Sequence, residues 1–265
     1  MLSVTQERAK SSIEQKIAAG IYRYETPACL CGAMRFIPLA ERDRFGLSHH
    51  VVRCENCGLV QANPRLNADS YRQFYEQDYR RLYSTSVNIP LQFKNMSERG
   101  EKVYRFIDKH CQIPQHSRVL EIGCSSGGIL VPFEKRGHRV QGFDYDREFV
   151  KYGNSQGLAL FIGDLFDVSG MFDLAIYNHV LEHILTPDKE LAQAHSLLVE
   201  RGLLYIEVPD IESHTRLGIL ESVTWQIAHT YYYSINTLEK LVEDAGFKII
   251  YLVQVGHSIR SLWRK

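Results

Sequence analysis

VLEIGCSSGGIL, residues 119–130, is the stretch from which the rest of the chain can be read. An apolar run ends in the acid Glu121, and small residues follow: Gly123, Cys124, Ser125, Ser126, Gly127 and Gly128. A strand feeding a glycine-rich turn that opens a helix is how an α/β protein holds an adenine-ribose cofactor. Glycine lets backbone approach the ligand where a Cβ would clash. Read as G-x-G-x-x-G, the segment supplies Gly123, Ser125 and Gly128, one glycine short. Asp144 follows about 20 residues on, where an acid can bond ribose hydroxyls. A dinucleotide and S-adenosylmethionine both satisfy this much.

Working outward, apolar runs alternate with helical patterns. Strands are expected at 118–122, 139–143, 158–162, 172–177 and 203–208, and helices at 128–136, 147–156 and 189–200. Such alternation implies a mainly parallel sheet with helices on both faces. A further helix is expected with Asn236 as N-cap, Glu239 completing a capping box and Gly246 closing it. Two last strands, 248–253 and 258–263, lie so close in sequence that they should pair as an antiparallel hairpin.

Upstream, residues 1–24 form a polar, helix-prone leader, and 25–66 hold four of the six cysteines. Residues 68–112 look helical. Tyr71, Phe74, Tyr75 and Tyr79 make an aromatic stripe, and Pro90 should divide the zone into two helices. The expected parts are a leader with a cysteine module (1–66), a helical connector or lid (67–112) and an α/β domain (113–265).

The cysteines fall in two close pairs. Cys29 and Cys31 precede Gly32, and Cys54 and Cys57 precede Gly58. Two such knuckles suit tetrahedral zinc in a zinc-ribbon-like module, although the first is C-x-C, one residue short of C-x-x-C. Four thiolates leave no open position, so the zinc would be structural. His49 and His50 are reserve ligands. Cys111 is expected to be a free, semi-buried thiol and Cys124 a small packing residue.

Bulk properties narrow the function. The 265 residues are 45% hydrophobic and 23% charged, with a formal net charge of +0. That balance speaks against a nucleic-acid platform. No apolar run approaches the roughly 18 residues that span a bilayer, and the first residues lack a signal-peptide core, so no membrane role and a cytoplasmic location are expected. In that compartment cysteines serve as metal or structural thiols rather than disulfides.

Taken together, the α/β segments resemble class I S-adenosylmethionine-dependent methyltransferases. The match runs in order over about residues 97–265: Glu121 ending the first strand, Phe143-Asp144, Gly163-Asp164-Leu165, FDLAIYNHVLEHILTP over 172–187, and a fifth strand reaching Pro209. The family's E-x-G-x-G-x-G departs here at Ser125, which is small and can bond the carboxylate end of the cofactor. The resemblance implies a Rossmann-like seven-stranded sheet with an antiparallel terminal hairpin, and S-adenosylmethionine as cofactor. It implies that Asp144 accepts the ribose hydroxyls, that Asp164 and the backbone beside it read adenine, and that Glu121 orders the turn. Gly123, Cys124, Ser125, Gly127, Tyr145, Leu165, Asn178 and His179 are the further cofactor contacts it implies.

Bacterial methyltransferases, sugar-modifying ones included, carry a similar cysteine-bearing module followed by an aromatic helix like SYRQFYEQDYRRLY (70–83). That similarity implies a small-molecule or glycan acceptor. Related sugar C-methyltransferases have an additional C-terminal domain, so O-methylation is expected here. In-line methyl displacement requires a positioned nucleophile and often a base. The candidate bases are His183, beside Leu181-Glu182, and His229, in WQIAHTYYYS (225–234). Glu207, ending the fifth strand, is a candidate substrate contact. The competing reading is a non-catalytic binding protein whose zinc module holds a partner. A degraded turn or a missing strand-end acid would favour it, and neither is seen. Monomer and homodimer both stay open.

Overall fold

The computed structural model describes residues 2–83, 88–216 and 225–265. In chain order the first elements are α1 (Val4–Ala18), β1 (Tyr24–Glu25), β2 (Phe36–Arg42), β3 (Ser48–Cys54), β4 (Val60–Ala62), β5 (Arg65–Leu66) and α2 (Ala68–Phe74). A π-helical segment, Tyr75–Tyr79, joins α2 to α3 (Arg80–Tyr83), and α4 (Ile89–His110) follows. Then come β6 (Arg118–Ile122), α5 (Val131–Glu134), β7 (Arg139–Asp144), α6 (Arg147–Ser155), β8 (Leu160–Ile162), β9 (Phe172–Asn178) and α7 (Pro187–Leu197). The last are β10 (Leu198–Pro209), α8 (Ile211–Arg216), β11 (Tyr231–Tyr232), α9 (Ile235–Asp244), β12 (Lys248–Val255) and β13 (Ser258–Arg264).

The chain forms two compact units. One, here the sheet unit, comprises Asn88–Leu181, Thr186–Val208 and Leu238–Lys265. The other, the cysteine unit, comprises Met1–Val87, Glu182–Leu185 and Pro209–Thr237.

The sheet unit is built on a seven-stranded sheet of order β12-β13-β10-β9-β6-β7-β8. β10, β9, β6, β7 and β8 pair in parallel, and β12 pairs antiparallel with β13. Central parallel strands are buried on both faces, which is why they read as unbroken apolar runs. Val119, Leu174, Ile176, Leu203 and Tyr205 pack with Val103 and Ile107 of α4 and with Ile129, Leu130 and Phe133. Val103 and Ile107 lie one helical turn apart, so α4 turns a single apolar stripe to the sheet. Each buried aliphatic side chain of this kind stabilises the fold by about 2 kcal/mol.

Three helix expectations are corrected. The helix expected at 128–136 is a 3-10 turn, Gly128–Leu130, followed by the short α5. Gly137, at φ 84°, lies just past its end. The helix expected at 189–200 starts earlier, with Pro187 in its first turn, and ends at Leu197, because β10 already begins at Leu198. The N-cap of α9 is Ser234, not Asn236. Ser234 Oγ accepts the Thr237 N–H and the Ser234 N–H donates to Thr237 Oγ1.

In the cysteine unit, β11, β4, β3 and β2 form an antiparallel sheet in that order, and β1 pairs with β5. The leader is not loose. α1 starts in a Ser3–Gln6 capping box and buries Ala9 and Ile13 against Tyr22, Leu47, Leu66, Phe74, Leu82 and Ile227. Among the described residues no helix is long and apolar enough to cross a membrane.

Candidate functional site

The glycine-rich turn sits at the carboxyl end of β6, where an open α/β sheet has its ligand crevice. Gly123 has φ 61°, and a Cβ there would lie 2.7 Å from Val180 Cγ2. Gly127 has φ 75°, and its Cβ would meet Leu158 Cδ1 at 2.8 Å. A side chain is excluded at both positions by conformation and by space. Ser125 also takes a left-handed conformation, φ 53°. Cys124 is buried, with its side chain filling the space beside Gly142. Burial first, then the charges of Glu121 and Asp144, push its thiol well above the usual range, which suits packing rather than nucleophilic attack.

Asp144, ending β7, is locked to the turn. Its Oδ2 accepts the Ser125 N–H at 2.8 Å and its Oδ1 the Asp146 N–H at 2.8 Å. Glu121 is 3% exposed. Burial, with the Asp144 charge added, pushes its carboxyl well above the usual range. Glu121 Oε2 and Ser125 Oγ are buried with no hydrogen-bond partner among the described residues. Orphaned polar atoms around a backbone cradle fit a ligand with amino, carboxylate and hydroxyl groups.

Asp164 caps the short turn Leu165–Asp167, accepting the Phe166 N–H at 2.9 Å. Its Oδ2 accepts from the Tyr145 hydroxyl at 3.4 Å. Leu165 is fully buried. Tyr145 is 52% and Phe166 57% exposed beside these acids. Their rings offer apolar faces on which an adenine can stack. Phe166 was not expected, and its signal is an aromatic two residues past the strand-end Asp164.

Asn178, the last residue of β9, and His179 after it converge on Glu207 of β10. The Asn178 amide donates to Glu207 Oε2 at 3.2 Å and the Tyr205 hydroxyl to the same oxygen at 2.7 Å. Arg99 Nη2 donates to Oε1 at 2.8 Å, Arg260 Nε lies 3.2 Å from Oε2, and His179 Nε2 lies 3.6 Å from Oε1. Burial alone favours the neutral acid. His179, the Arg99 charge and the Tyr205 hydroxyl outweigh it and hold the Glu207 carboxyl down at about 2. Arg99 and Arg260 carried no motif in the sequence.

The two histidine candidates lie in the cysteine unit. Nitrogen atoms of His183 and His229 and a carboxylate oxygen of Glu182 all lie within 4.8 Å of one another. The His183 and His229 rings meet edge-on with centroids 4.7 Å apart. His183 Nδ1 lies 2.8 Å from the Ala228 carbonyl and 2.7 Å from the Tyr75 hydroxyl. A carbonyl only accepts, so a proton on Nδ1 would serve it, while Nε2 lies 3.9 Å from Glu182 Oε1. Tyr75 comes from the aromatic stripe, whose Tyr71 hydroxyl also donates to the His183 carbonyl at 2.7 Å.

In the same unit the four cysteine sulfurs gather within 4.8 Å of one another. Cys29 and Cys57 sulfurs are 3.5 Å apart, and those of Cys31 and Cys54 are 3.6 Å apart. A tetrahedral ion with about 2.3 Å bonds to sulfur needs edges of about 3.8 Å, so the donor set fits zinc. Gly32 and Gly58 have φ 81° and 78°. The short C-x-C therefore ends in the same left-handed glycine as the full knuckle. His49 stays outside the cluster: it is buried, with Nε2 2.9 Å from the Tyr232 hydroxyl. Cys111 is a half-buried thiol that accepts from Arg264 Nη2 at 3.0 Å.

Residues 94–252 match the sequence profile of the methyltransferase domain family. The chain is 28% identical over 121 residues to the ubiquinone biosynthesis O-methyltransferase of Chromobacterium violaceum, covering 42% of this chain and 51% of that protein. The chain spans about half the length of the curated relatives it matches. Two solved structures share its fold. The 1,6-didemethyltoxoflavin-N1-methyltransferase of Burkholderia thailandensis has a TM-score of 0.58 at 18% identity, covering 82% of this chain and 95% of that one. The magnesium protoporphyrin IX methyltransferase of Synechocystis PCC 6803 has a TM-score of 0.57 at 18% identity, covering 75% and 100%.

Proposed function

The chain belongs to the methyltransferase domain family, the class I S-adenosylmethionine-dependent enzymes, and on that premise we propose that it O-methylates a small-molecule or carbohydrate acceptor with a histidine as base. The observation that carries the cofactor assignment is Asp144, held by the Ser125 amide at the turn where Glu121 and Ser125 keep orphaned polar atoms. Bound there, S-adenosylmethionine supplies an electrophilic methyl on a sulfonium. Asp144 accepts the ribose hydroxyls. Asp164, Tyr145 and Phe166 hold the adenine. Glu121 and Ser125 take the amino-acid end. His183 or His229, edge-on to each other, is the base that takes the proton of the acceptor hydroxyl as the new bond forms. The four cysteines hold a structural zinc that cross-links the two knuckles. The carbohydrate class rests on the cysteine module and aromatic helix, and O-methyl transfer agrees with what the Chromobacterium relative's name states.

Calorimetric titration with S-adenosylhomocysteine tests the cofactor site. Asp144→Ala should weaken binding by about tenfold or more, since it removes a charge-assisted acceptor. Unchanged affinity would remove Asp144 from the site. A screen of nucleotide sugars and glycans with labelled cofactor identifies the acceptor. His229→Ala should then lower turnover by about a hundredfold with little change in cofactor affinity. Intact turnover would exclude His229 as the base.

A further inference from the structure

The buried cluster around Glu207 holds more positive charge than its internal pairing consumes. Two guanidiniums, Arg99 from α4 and Arg260 from β13, face one carboxylate. A guanidinium carries five N–H donors in a planar fork. Among the described residues Arg99 makes one hydrogen bond through that fork, to Glu207 Oε1. Arg260 adds an ion pair, and among the described residues the Nε of each arginine is buried without an aligned hydrogen-bond partner. A purely structural ion pair would match one arginine to one acid and satisfy the fork. Here Glu207 is already served by Tyr205 and Asn178, so it orients the second arginine rather than neutralising it.

Position adds to the argument. Glu207 pairs in register with Asn178 at the carboxyl ends of β10 and β9. β9 in turn adjoins β6, which leads into the glycine turn. Arg99 precedes Gly100 on α4, where a Cβ would come within 2.6 Å of the Ile129 carbonyl. One and two turns earlier on α4, Met96 and Phe93 close on Gly128. Arg99 therefore lies on the helix that rests against the cofactor turn, and Arg260, on β13, meets it at Glu207. Both side chains keep contact with solvent, Arg99 at 31% and Arg260 at 20%.

We propose that Arg99 and Arg260, pre-aligned by Glu207, bind an anionic group, a carboxylate or a phosphate, carried by the methyl acceptor. Paired guanidiniums clamp such anions in two-pronged fashion and discriminate strongly against neutral analogues. The acceptor class then narrows from small molecules at large to acids and phosphate esters, nucleotide sugars among them. This rests on the methyltransferase reading of the same crevice.

The test titrates protein saturated with S-adenosylhomocysteine against inorganic phosphate. Arg99→Gln and Arg260→Gln should each weaken phosphate binding by about tenfold, leaving S-adenosylhomocysteine affinity within about threefold of wild type. Equal phosphate affinity in wild type and both variants overturns the proposal. A tenfold loss of S-adenosylhomocysteine affinity overturns it too, because the arginines would then hold the cofactor's own carboxylate. Phenylglyoxal labelling of the unmutated protein guards against misfolded variants. Phosphate should slow modification of Arg99 and Arg260, read by peptide mass spectrometry, and equal rates overturn the proposal. If wild type fails to bind S-adenosylhomocysteine, the methyltransferase reading falls, while phosphate titration of the bare protein still judges the arginine pair.

Discussion

Glu207 couples the stability of the sheet unit to acid. Its carboxyl sits at about 2 in the fold, against 4.5 for an unconstrained glutamate. The folded state therefore favours the anion more than the unfolded chain does. The stabilisation is complete above about 4.5 and is lost as pH falls towards 2. Denaturant titrations between those limits should show wild type losing stability steeply. Glu207→Gln, which has no proton to take up, should start less stable and show a flatter dependence. Equal slopes would mean that the arginines do not hold this carboxylate. No local pattern announces this residue's environment, because Arg99 lies 108 positions away. Asp144 is different. Its role was legible because the strand, the turn and the acid follow one another at fixed spacing.

Among elements, parallel strands were the most readable and boundaries the least. β6, β9 and β10 are apolar on both faces, so each shows as a continuous run. α7 ends before its helical pattern does, because pairing with β9 claims Leu198 for β10. The start of α9 offers two plausible caps. Ser234 takes the role because its hydroxyl and backbone exchange hydrogen bonds with Thr237. Ser234→Ala should cost about 1 kcal/mol in urea denaturation and Asn236→Ala almost nothing. The reverse order would restore Asn236 as the cap. β11 was invisible as a strand. Tyr231-Tyr232 gains its identity only by pairing with Gln61 and Val60.

For the molecule as a whole, the four cysteines offer a direct measurement. One zinc per chain is expected by elemental mass spectrometry, and Cys54→Ser should lose it and melt at lower temperature. Full zinc in the variant, or none in wild type, would refute the structural centre. The cysteine spacing made this site legible. The composition of the unit around it was not, because three separate segments build it. That segmentation has a consequence for how the protein is made. Its cysteines are all synthesised by residue 57, whereas the strand completing their sheet arrives only at Tyr231–Tyr232. In between, the ribosome delivers most of the other unit. Until then β4 presents an open edge, the kind of surface on which neighbouring nascent chains stick. The unit translated first is thus left incomplete until Tyr231–Tyr232 emerges, and the growing chain must keep that edge apart from its neighbours for most of its synthesis.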